Sequence, residues 1–211
     1  MPGLFITFEG SEASGKSTQV ERLERRLEKS GRKVLTVHEP GYTKIGSAIR
    51  QLLLHANEGS LIRNETELLL FAAGRAQLVG EVIRPALERG LVVLSDRFYD
   101  SSTVYQGFGR GLDVTFIKSL NEFVVGACNP DRTFLLDLDV EESRVRLMRR
   151  VRPVGRQDRI EQLTKDFFER VRRGYLEIAR AEPDRVKIID ASRTEDQVEE
   201  AIWNEIYGLL T

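Results

Sequence analysis

The chain has 211 residues, of which 41% are hydrophobic and 31% charged, and its net charge is −1. These values are typical of a globular protein with a sizeable core, and they give no global indication of nucleic acid or an anionic membrane as a partner. The single cysteine, Cys128, excludes an intrachain disulfide and favours a reducing compartment. No apolar run approaches the ~18 residues of a membrane span and no signal-peptide pattern begins the chain, so we expect a cytoplasmic protein.

Short apolar, β-rich runs alternate along the chain with longer segments of helical periodicity. We predict strands at 4–8, 33–38, 91–95, 133–138 and 186–189, and helices near 17–30, 46–56, 65–89, 113–126, 140–151, 159–181 and 195–210. This alternation predicts an α/β fold with a five-stranded parallel sheet flanked by helices on both faces. No repeat or linker interrupts the pattern, so we predict a single domain over residues 1–211.

Two helix starts carry the spacing of a capping box. Asn64 is followed three residues later by Glu67, and Asp139 by Glu142. Because such pairs satisfy free backbone N–H groups at a helix N-terminus, we expect both to begin helices.

A glycine-rich loop separates the first predicted strand from the first predicted helix. It fits the phosphate-loop pattern G-x-x-x-x-G-K-[ST], in which backbone N–H groups and the helix N-terminus converge on phosphate. Lys16 is expected to neutralise the transferring phosphates and Ser17 to ligate Mg²⁺. We predict that ATP binds at Gly10, Ser11, Glu12, Ala13, Ser14, Gly15, Lys16, Ser17 and Thr18.

A magnesium site needs a carboxylate near Ser17, and ligands of open α/β sheets bind beyond the carboxyl ends of the strands. Asp96 follows the apolar strand 91–95 and is the first candidate. Glu9, at the end of the first strand, is the second. The alternative for Asp96 is simple helix capping.

Several further motifs, in this order, resemble the thymidylate kinase family. They are Phe8-Glu9-Gly10 with the phosphate loop, Glu39-Pro40-Gly41, Leu70-Phe71-Ala72-Ala73-Gly74-Arg75, Ser95-Asp96-Arg97-Phe98, Tyr105-Gln106-Gly107 and Gly109-Arg110-Gly111. The phosphate loop alone would name only a superfamily, whereas the other motifs at these separations are far more specific. The resemblance implies a P-loop kinase that moves the γ-phosphoryl group of ATP to dTMP, in dTTP biosynthesis, and that forms a homodimer.

The resemblance also implies the residues of a dTMP site. In the family the phenylalanine stacks on thymine, the arginine four residues later bonds the base edge, and the arginine of the Asp-Arg pair bridges the acceptor phosphate and the transferring group. Periodicity alone would make Phe71 a core residue. The implied set is Glu12, Glu39, Arg50, Phe71, Arg75, Arg97, Ser102, Tyr105 and Gln106.

A second basic segment carries seven arginines and one acidic residue between positions 144 and 159. In the family this segment would be a lid over ATP, here at about 149–159. The phosphate loop has no arginine, so the resemblance places the chain with the bacterial branch that takes a catalytic arginine from the lid. Our candidates are Arg149, Arg152 and Arg156; a basic surface for nucleic acid is the competing interpretation.

Two departures from the family pattern concern the acceptor site. Tyr42 stands where the family has a second glycine, so we expect a differently shaped loop. Gly74, where Asp or Ala is usual, suggests close packing or altered support for Arg75. Alternatives are another phosphate-loop kinase, of deoxynucleosides or of other monophosphates, and a nucleotide-dependent switch, although the Asp-x-x-Gly and Asn-Lys-x-Asp signals of switches are absent.

Overall fold

The structure, a computed structural model, describes residues 3–55, 62–149 and 163–210. Its strands are β1 (Leu4–Glu9), β2 (Val34–His38), β3 (Val92–Asp96), β4 (Arg132–Asp137) and β5 (Val186–Asp190). They form one parallel sheet in the order β2-β3-β1-β4-β5. Each predicted strand is present, with its ends within one residue of the prediction, and the five-stranded parallel sheet is confirmed.

The helices of the described residues also follow the predicted order. They are α1 (Lys16–Lys29), α2 (Lys44–His55), α3 (Asn64–Leu78), α4 (Arg84–Glu88), α5 (Tyr99–Ser102), α6 (Val114–Val125), α7 (Val140–Arg149), α8 (Lys165–Ala181) and α9 (Glu195–Leu210). A π-helical turn at Val79–Ile83 joins α3 to α4, so the long helix predicted at 65–89 is a composite. The helical course of 99–109, which is α5 followed by a π-helix at Thr103–Gly109, was not predicted, because its sequence is rich in polar residues and glycine.

The core lies on both faces of the sheet because consecutive strand residues point in opposite directions. Ile6 and Phe8 of β1 pack with α1 and α9 on one face. Phe5, the residue before Ile6, packs on the other face with residues of α4, α6 and the π-turn after α3. Leu135 of β4 packs beneath α8 and the π-helix Thr103–Gly109 on that same face. The predicted covering of both faces by helices is therefore confirmed.

Two glycines let α8 approach the π-helix Thr103–Gly109 closely. A Cβ added to Gly109 would lie 2.5 Å from the ring of Phe167, and one added to Gly174 would lie 2.7 Å from the ring of Phe108. Distances this short leave no room for a side chain, so the pairs fix the position of α8 against the segment that follows β3.

The helix starts agree only in part with the capping-box prediction. Asp139 does cap α7, since its Oδ1 accepts from the backbone N–H of Glu141 at 2.9 Å, but Glu142 pairs with Arg146 instead of closing a box. α3 does begin at Asn64 as predicted, but the expected cap was wrong, because Asn64 is already helical and no side chain caps that end. No helix of the described ranges is long and apolar enough to cross a membrane.

Candidate active site

The phosphate loop connects the end of β1 to the start of α1. Gly10 and Gly15 take positive φ values of 140° and 93°, and a Cβ at Gly10 would lie 2.5 Å from the carbonyl oxygen of Leu136. Glycine is therefore required at position 10 both for its backbone conformation and for space. Ala13 also has a positive φ, at 53°, so the loop turns tightly before α1 begins.

Lys16 lies folded over this loop. Its Nζ donates to the carbonyl oxygens of Ser11 at 2.8 Å and Gly10 at 3.2 Å. Burial, followed by the nearby charge of Arg97, lowers the pKa of Lys16 to about 8. A phosphate group entering the loop would offer this ammonium the negative charge that favours its protonated form.

Ser17 and Asp96 lie together beside the loop. The Ser17 hydroxyl donates to Oδ2 of Asp96 at 2.6 Å, because the parallel register sets Phe8 of β1 opposite Asp96 of β3. One hydroxyl and one carboxylate suit Mg²⁺, which usually takes few protein ligands and completes its shell with water and substrate phosphates. The described residues hold no cluster of three or more His, Cys, Asp or Glu that would form a closed metal cage.

Glu9 is turned away from that pair and holds the loop after β3. Its carboxylate accepts hydrogen bonds from the N–H of Phe98 (2.8 Å), the N–H and hydroxyl of Ser101 (3.2 and 2.6 Å) and the hydroxyl of Tyr175 (2.8 Å). The side chain is fully buried. Burial, then the charge of Asp100, raises the pKa of Glu9 to about 7. These bonds explain how the segment containing Arg97 is held at the edge of the sheet.

Arg97 lies between the phosphate loop and the neighbouring cleft. Its Nη2 donates to Oε1 of Glu12 at 2.6 Å and its Nη1 to the carbonyl oxygen of Gly10 at 3.1 Å. Its backbone adopts φ 71°, a conformation that is uncommon outside glycine and often found at functional sites. The hydroxyl of Tyr105 also accepts from Nη2, at 3.2 Å.

A cleft opens beside Arg97, and its empty volume of about 630 Å³ includes space that is open to solvent. All nine residues that the family resemblance assigned to the acceptor site line this cleft, namely Glu12, Glu39, Arg50, Phe71, Arg75, Arg97, Ser102, Tyr105 and Gln106. Phe71 is half-buried at the wall of the cleft and belongs to none of the core clusters, so the core interpretation of this residue is wrong.

Arg75 is held in the cleft by four hydrogen bonds and is only 1% exposed. Its Nε and Nη2 donate to the two carboxylate oxygens of Glu39, at 3.0 and 2.5 Å. Nη2 also donates to the Ser102 hydroxyl at 2.7 Å, and Nη1 donates to Oδ1 of Asn121 at 2.8 Å. An arginine has five N–H donors, so one of them stays available on Nη1. Glu39 therefore contributes to the cleft by holding the guanidinium group of Arg75 in place.

Sequence reasoning missed two residues of this arrangement. Asn121, on α6, supports Arg75, and Glu67, on α3, accepts a hydrogen bond from Gln106. Asn121 belongs to no motif that we recognised, and Glu67 carries only the capping-box spacing. Each reaches the site through the packing of helices distant in sequence.

The two departures from the family pattern have modest structural effects. Tyr42 is not among the residues with positive φ, so the glycine position is occupied without backbone strain. Its ring packs edge-on against His38. A Cβ at Gly74 would lie 3.7 Å from Ile49, an ordinary van der Waals distance, so the expectation of close packing there was wrong.

The basic segment is described only at its start. Arg149 is the last residue of α7 and is exposed. Arg152 and Arg156, like nearly all of the predicted lid at 149–159, lie outside the described residues. α7 itself is tied to the phosphate loop, because the hydroxyl of Ser143 donates to the carbonyl oxygen of Glu12 at 2.6 Å.

A phosphate loop at the carboxyl end of a five-stranded parallel sheet, beside a second polar cleft, defines a P-loop kinase. The family model for thymidylate kinase matches residues 8–202. A thymidylate kinase of Halothermothrix orenii is 48% identical over 210 residues, covering 100% of this chain and 99% of its own, and that of Deinococcus radiodurans is 47% identical, covering 95% of each. The crystal structure of thymidylate kinase from Ehrlichia chaffeensis superposes with a TM-score of 0.77 at 32% identity, over 100% of both chains. The chain belongs to the thymidylate kinase family.

Proposed function

We propose that this enzyme transfers the γ-phosphoryl group of ATP to dTMP, giving dTDP and ADP, as a step of dTTP biosynthesis. The observation that carries the proposal is the position of Arg97, which bonds the phosphate loop through Gly10 and lines the acceptor cleft with Phe71 and Arg75. Donor and acceptor phosphates bound in the loop and in the cleft would therefore meet at one guanidinium group.

Transfer needs positioning and charge neutralisation more than covalent participation by the protein. An oxygen of the dTMP phosphate attacks the γ-phosphorus in line, the bond to the β–γ bridging oxygen breaks, and ADP leaves. Lys16 and Arg97, which both donate to the carbonyl oxygen of Gly10, are placed to hold the phosphates. Arg50, which donates to the carbonyl oxygen of Pro40 at 2.8 Å at the edge of the cleft, is placed to hold the acceptor phosphate.

The base and sugar of dTMP occupy the rest of the cleft in this proposal. Phe71 stacks on thymine, and the N–H of Arg75 that its protein partners leave available donates to the base edge. Tyr105 and Ser102 line the same cleft. The Tyr105 ring, packed against C2′ of the sugar, would reject a ribonucleotide sterically.

Ser17 and Asp96 are the proposed Mg²⁺ ligands. When bound there, Mg²⁺ would supply positive charge that neutralises the charge developing on the phosphates during transfer. Glu9, our second candidate ligand, already accepts hydrogen bonds from backbone and hydroxyl donors of the segment after β3. This supports Asp96, which bonds Ser17, as the carboxylate of the site.

We further propose that residues 1–211 form a single domain and that residues at about 149–159 form a lid over ATP. Arg149, Arg152 and Arg156 are the candidates for the lid arginine that reaches the transferring phosphoryl group. Such an arginine contributes roughly 10³–10⁵ in rate in phosphoryl-transfer enzymes. The single cysteine, buried Cys128, agrees with a cytoplasmic location.

The assignment is tested by coupled ADP release with dTMP, dUMP, AMP, GMP and CMP as acceptors. We expect turnover with dTMP to exceed that with the ribonucleotides. Turnover with AMP or GMP but not with dTMP would overturn the assignment. Phe71→Ala should raise the KM for dTMP, whereas Ile188→Ala, at a half-exposed position of β5 away from the cleft, should leave it unchanged.

We also propose that two copies of the chain associate through the face formed by α2, α3 and α6, whose helices pack side by side. This face exposes large apolar side chains, at Leu52 (57%), Leu69 (54%), Phe116 (55%) and Phe123 (86%). Contiguous exposed apolar surface marks protein–protein contacts. Sedimentation should give the mass of a dimer, and Phe123→Asp should shift it towards the monomer; a wild-type monomer at micromolar concentration would contradict the proposal.

A further inference from the structure

A buried carboxylate lies against the wall of the acceptor cleft. Glu67, on α3, is one turn before Phe71 and only 2% exposed. Its Oε1 accepts from Nε2 of Gln106 at 2.8 Å and from Nε of Arg110 at 3.2 Å, and its Oε2 accepts from Nη2 of Arg110 at 3.1 Å.

These contacts determine which end of the Gln106 amide faces the carboxylate. A carboxylate accepts hydrogen bonds and cannot donate, so the amide must present its NH₂ group to Glu67. The two ends of an amide diverge, so the carbonyl oxygen lies on the other side. Gln106 is itself 1% exposed and lines the cleft; a buried amide of this kind cannot rotate without losing its bond to Glu67.

Arg110 pairs with Glu67 inside the protein. Its guanidinium group forms two hydrogen bonds with the carboxylate and lies 5.2 Å above the ring of Phe167, on α8. A buried charge is tolerated when it is paired and hydrogen-bonded in this way. Three N–H donors directed at the two carboxylate oxygens make Glu67 a hydrogen-bond acceptor, and this arrangement sets the orientation of Gln106.

The cleft therefore presents an N–H donor from Arg75 and a carbonyl acceptor from Gln106. This pair matches the edge of a pyrimidine with a 4-oxo group and a proton on N3, as in thymine and uracil. Cytosine carries the opposite pattern, with a 4-amino donor and an unprotonated N3. We propose, resting on the proposed function, that Glu67 is a positioning residue that makes the acceptor site select 4-oxo over 4-amino pyrimidines through the Gln106 amide.

The test compares dUMP with dCMP, which differ only at position 4 and N3 of the base. Dissociation constants are measured by calorimetry for the wild type, Glu67→Gln and Glu65→Gln. An amide at position 67 cannot accept from Gln106 and from both Arg110 nitrogens, so it no longer imposes the orientation of Gln106. We expect the preference for dUMP over dCMP to fall by about 10-fold or more in Glu67→Gln, since one hydrogen bond is replaced by a contact between two donors.

Glu65→Gln is the matched control, because Glu65 is on the same helix but exposed, with only a 3.5 Å ion pair to Arg63. It should retain the wild-type preference. A purely structural role for Glu67 would weaken dUMP and dCMP binding equally in Glu67→Gln, and that outcome overturns the inference.

A double-mutant cycle tests the path through Gln106. In a Gln106→Leu background, Glu67→Gln should cause no further change in the dUMP-to-dCMP ratio; a full additional change would overturn the inference. Wild-type turnover of dTMP is measured in parallel. Its absence would refute the proposed function, whereas normal dTMP turnover with an unchanged preference in Glu67→Gln would refute only the role of Glu67.

Discussion

Replacement of Glu39 by glutamine should destabilise the protein far more than its small change in size implies. Glu39 and Arg75 form a bidentate ion pair in which both side chains are almost fully buried, at 4% and 1% exposure. A glutamine retains one acceptor oxygen but turns an NH₂ group towards a guanidinium donor, and it leaves the arginine charge without its counter-ion. Removing one partner of such a buried pair costs about 3–5 kcal/mol.

The expected loss is large enough to measure by urea and thermal denaturation. For a domain of this size, each kcal/mol corresponds to about 2–4 °C in Tm, so Glu39→Gln should lower Tm by roughly 6–20 °C. Glu65→Gln, which breaks an exposed pair with Arg63, should change the free energy of unfolding by less than about 0.5 kcal/mol.

A double variant separates stability from substrate binding. Glu39→Leu with Arg75→Met replaces the pair by apolar side chains and should recover most of the stability, as such replacements often do. It should not recover dTMP binding, because the N–H donors of Arg75 are gone. A loss of less than about 1 kcal/mol in Glu39→Gln would refute the reasoning, because it would mean that water or a shift of Arg75 compensates the charge.

Three further outcomes are expected. Tyr175→Phe removes the hydroxyl that donates to Glu9 and accepts from Arg97. It should lower kcat about 10-fold with little change in the KM for dTMP, which corresponds to a net loss of about 1.4 kcal/mol in the transition state. An equal effect of Tyr207→Phe, at an exposed position, would contradict this expectation. Chelation of Mg²⁺ should abolish turnover. Asp96→Asn should raise the Mg²⁺ concentration for half-maximal activity by about 10–100-fold. If that concentration is the same in the variant and the wild type, Asp96 is excluded as a ligand. Gly74→Ala should raise the free energy of unfolding by about 0.5–1 kcal/mol, because a Cβ fits there. Gly109→Ala should lower it by about 1–3 kcal/mol, because the added Cβ would lie 2.5 Å from the ring of a phenylalanine. The opposite order of stability in thermal denaturation would refute the packing argument.

Patterns within a short run of residues predicted the elements that such a run forms by itself. Strand β1 is an apolar run, the phosphate loop is one contiguous motif, and the periodicity of α1 is visible within its own residues. The prediction failed where a local pattern was overridden. Asn64 and Glu67 have capping-box spacing, yet Glu67 is turned inwards to Gln106 and Arg110, because a buried ionic contact outweighs a cap of about 1 kcal/mol.

The sequence by itself determined the fold class, the phosphate-loop motif and, through the order of its motifs, the family and a set of residues that line one cleft. Only the tertiary structure decided which of those residues bind one another. Glu39 and Arg75 are 36 residues apart, Glu67 and Gln106 are 39 apart, and Glu9 and Tyr175 are 166 apart. Helical and strand periodicities reach only a few residues along the chain, whereas these pairs form because the carboxyl ends of strands β1 and β2 and the helices on one face of the sheet come together in the fold. The orientation of Arg75, Gln106 and Arg97 in the cleft is therefore a property of the folded chain.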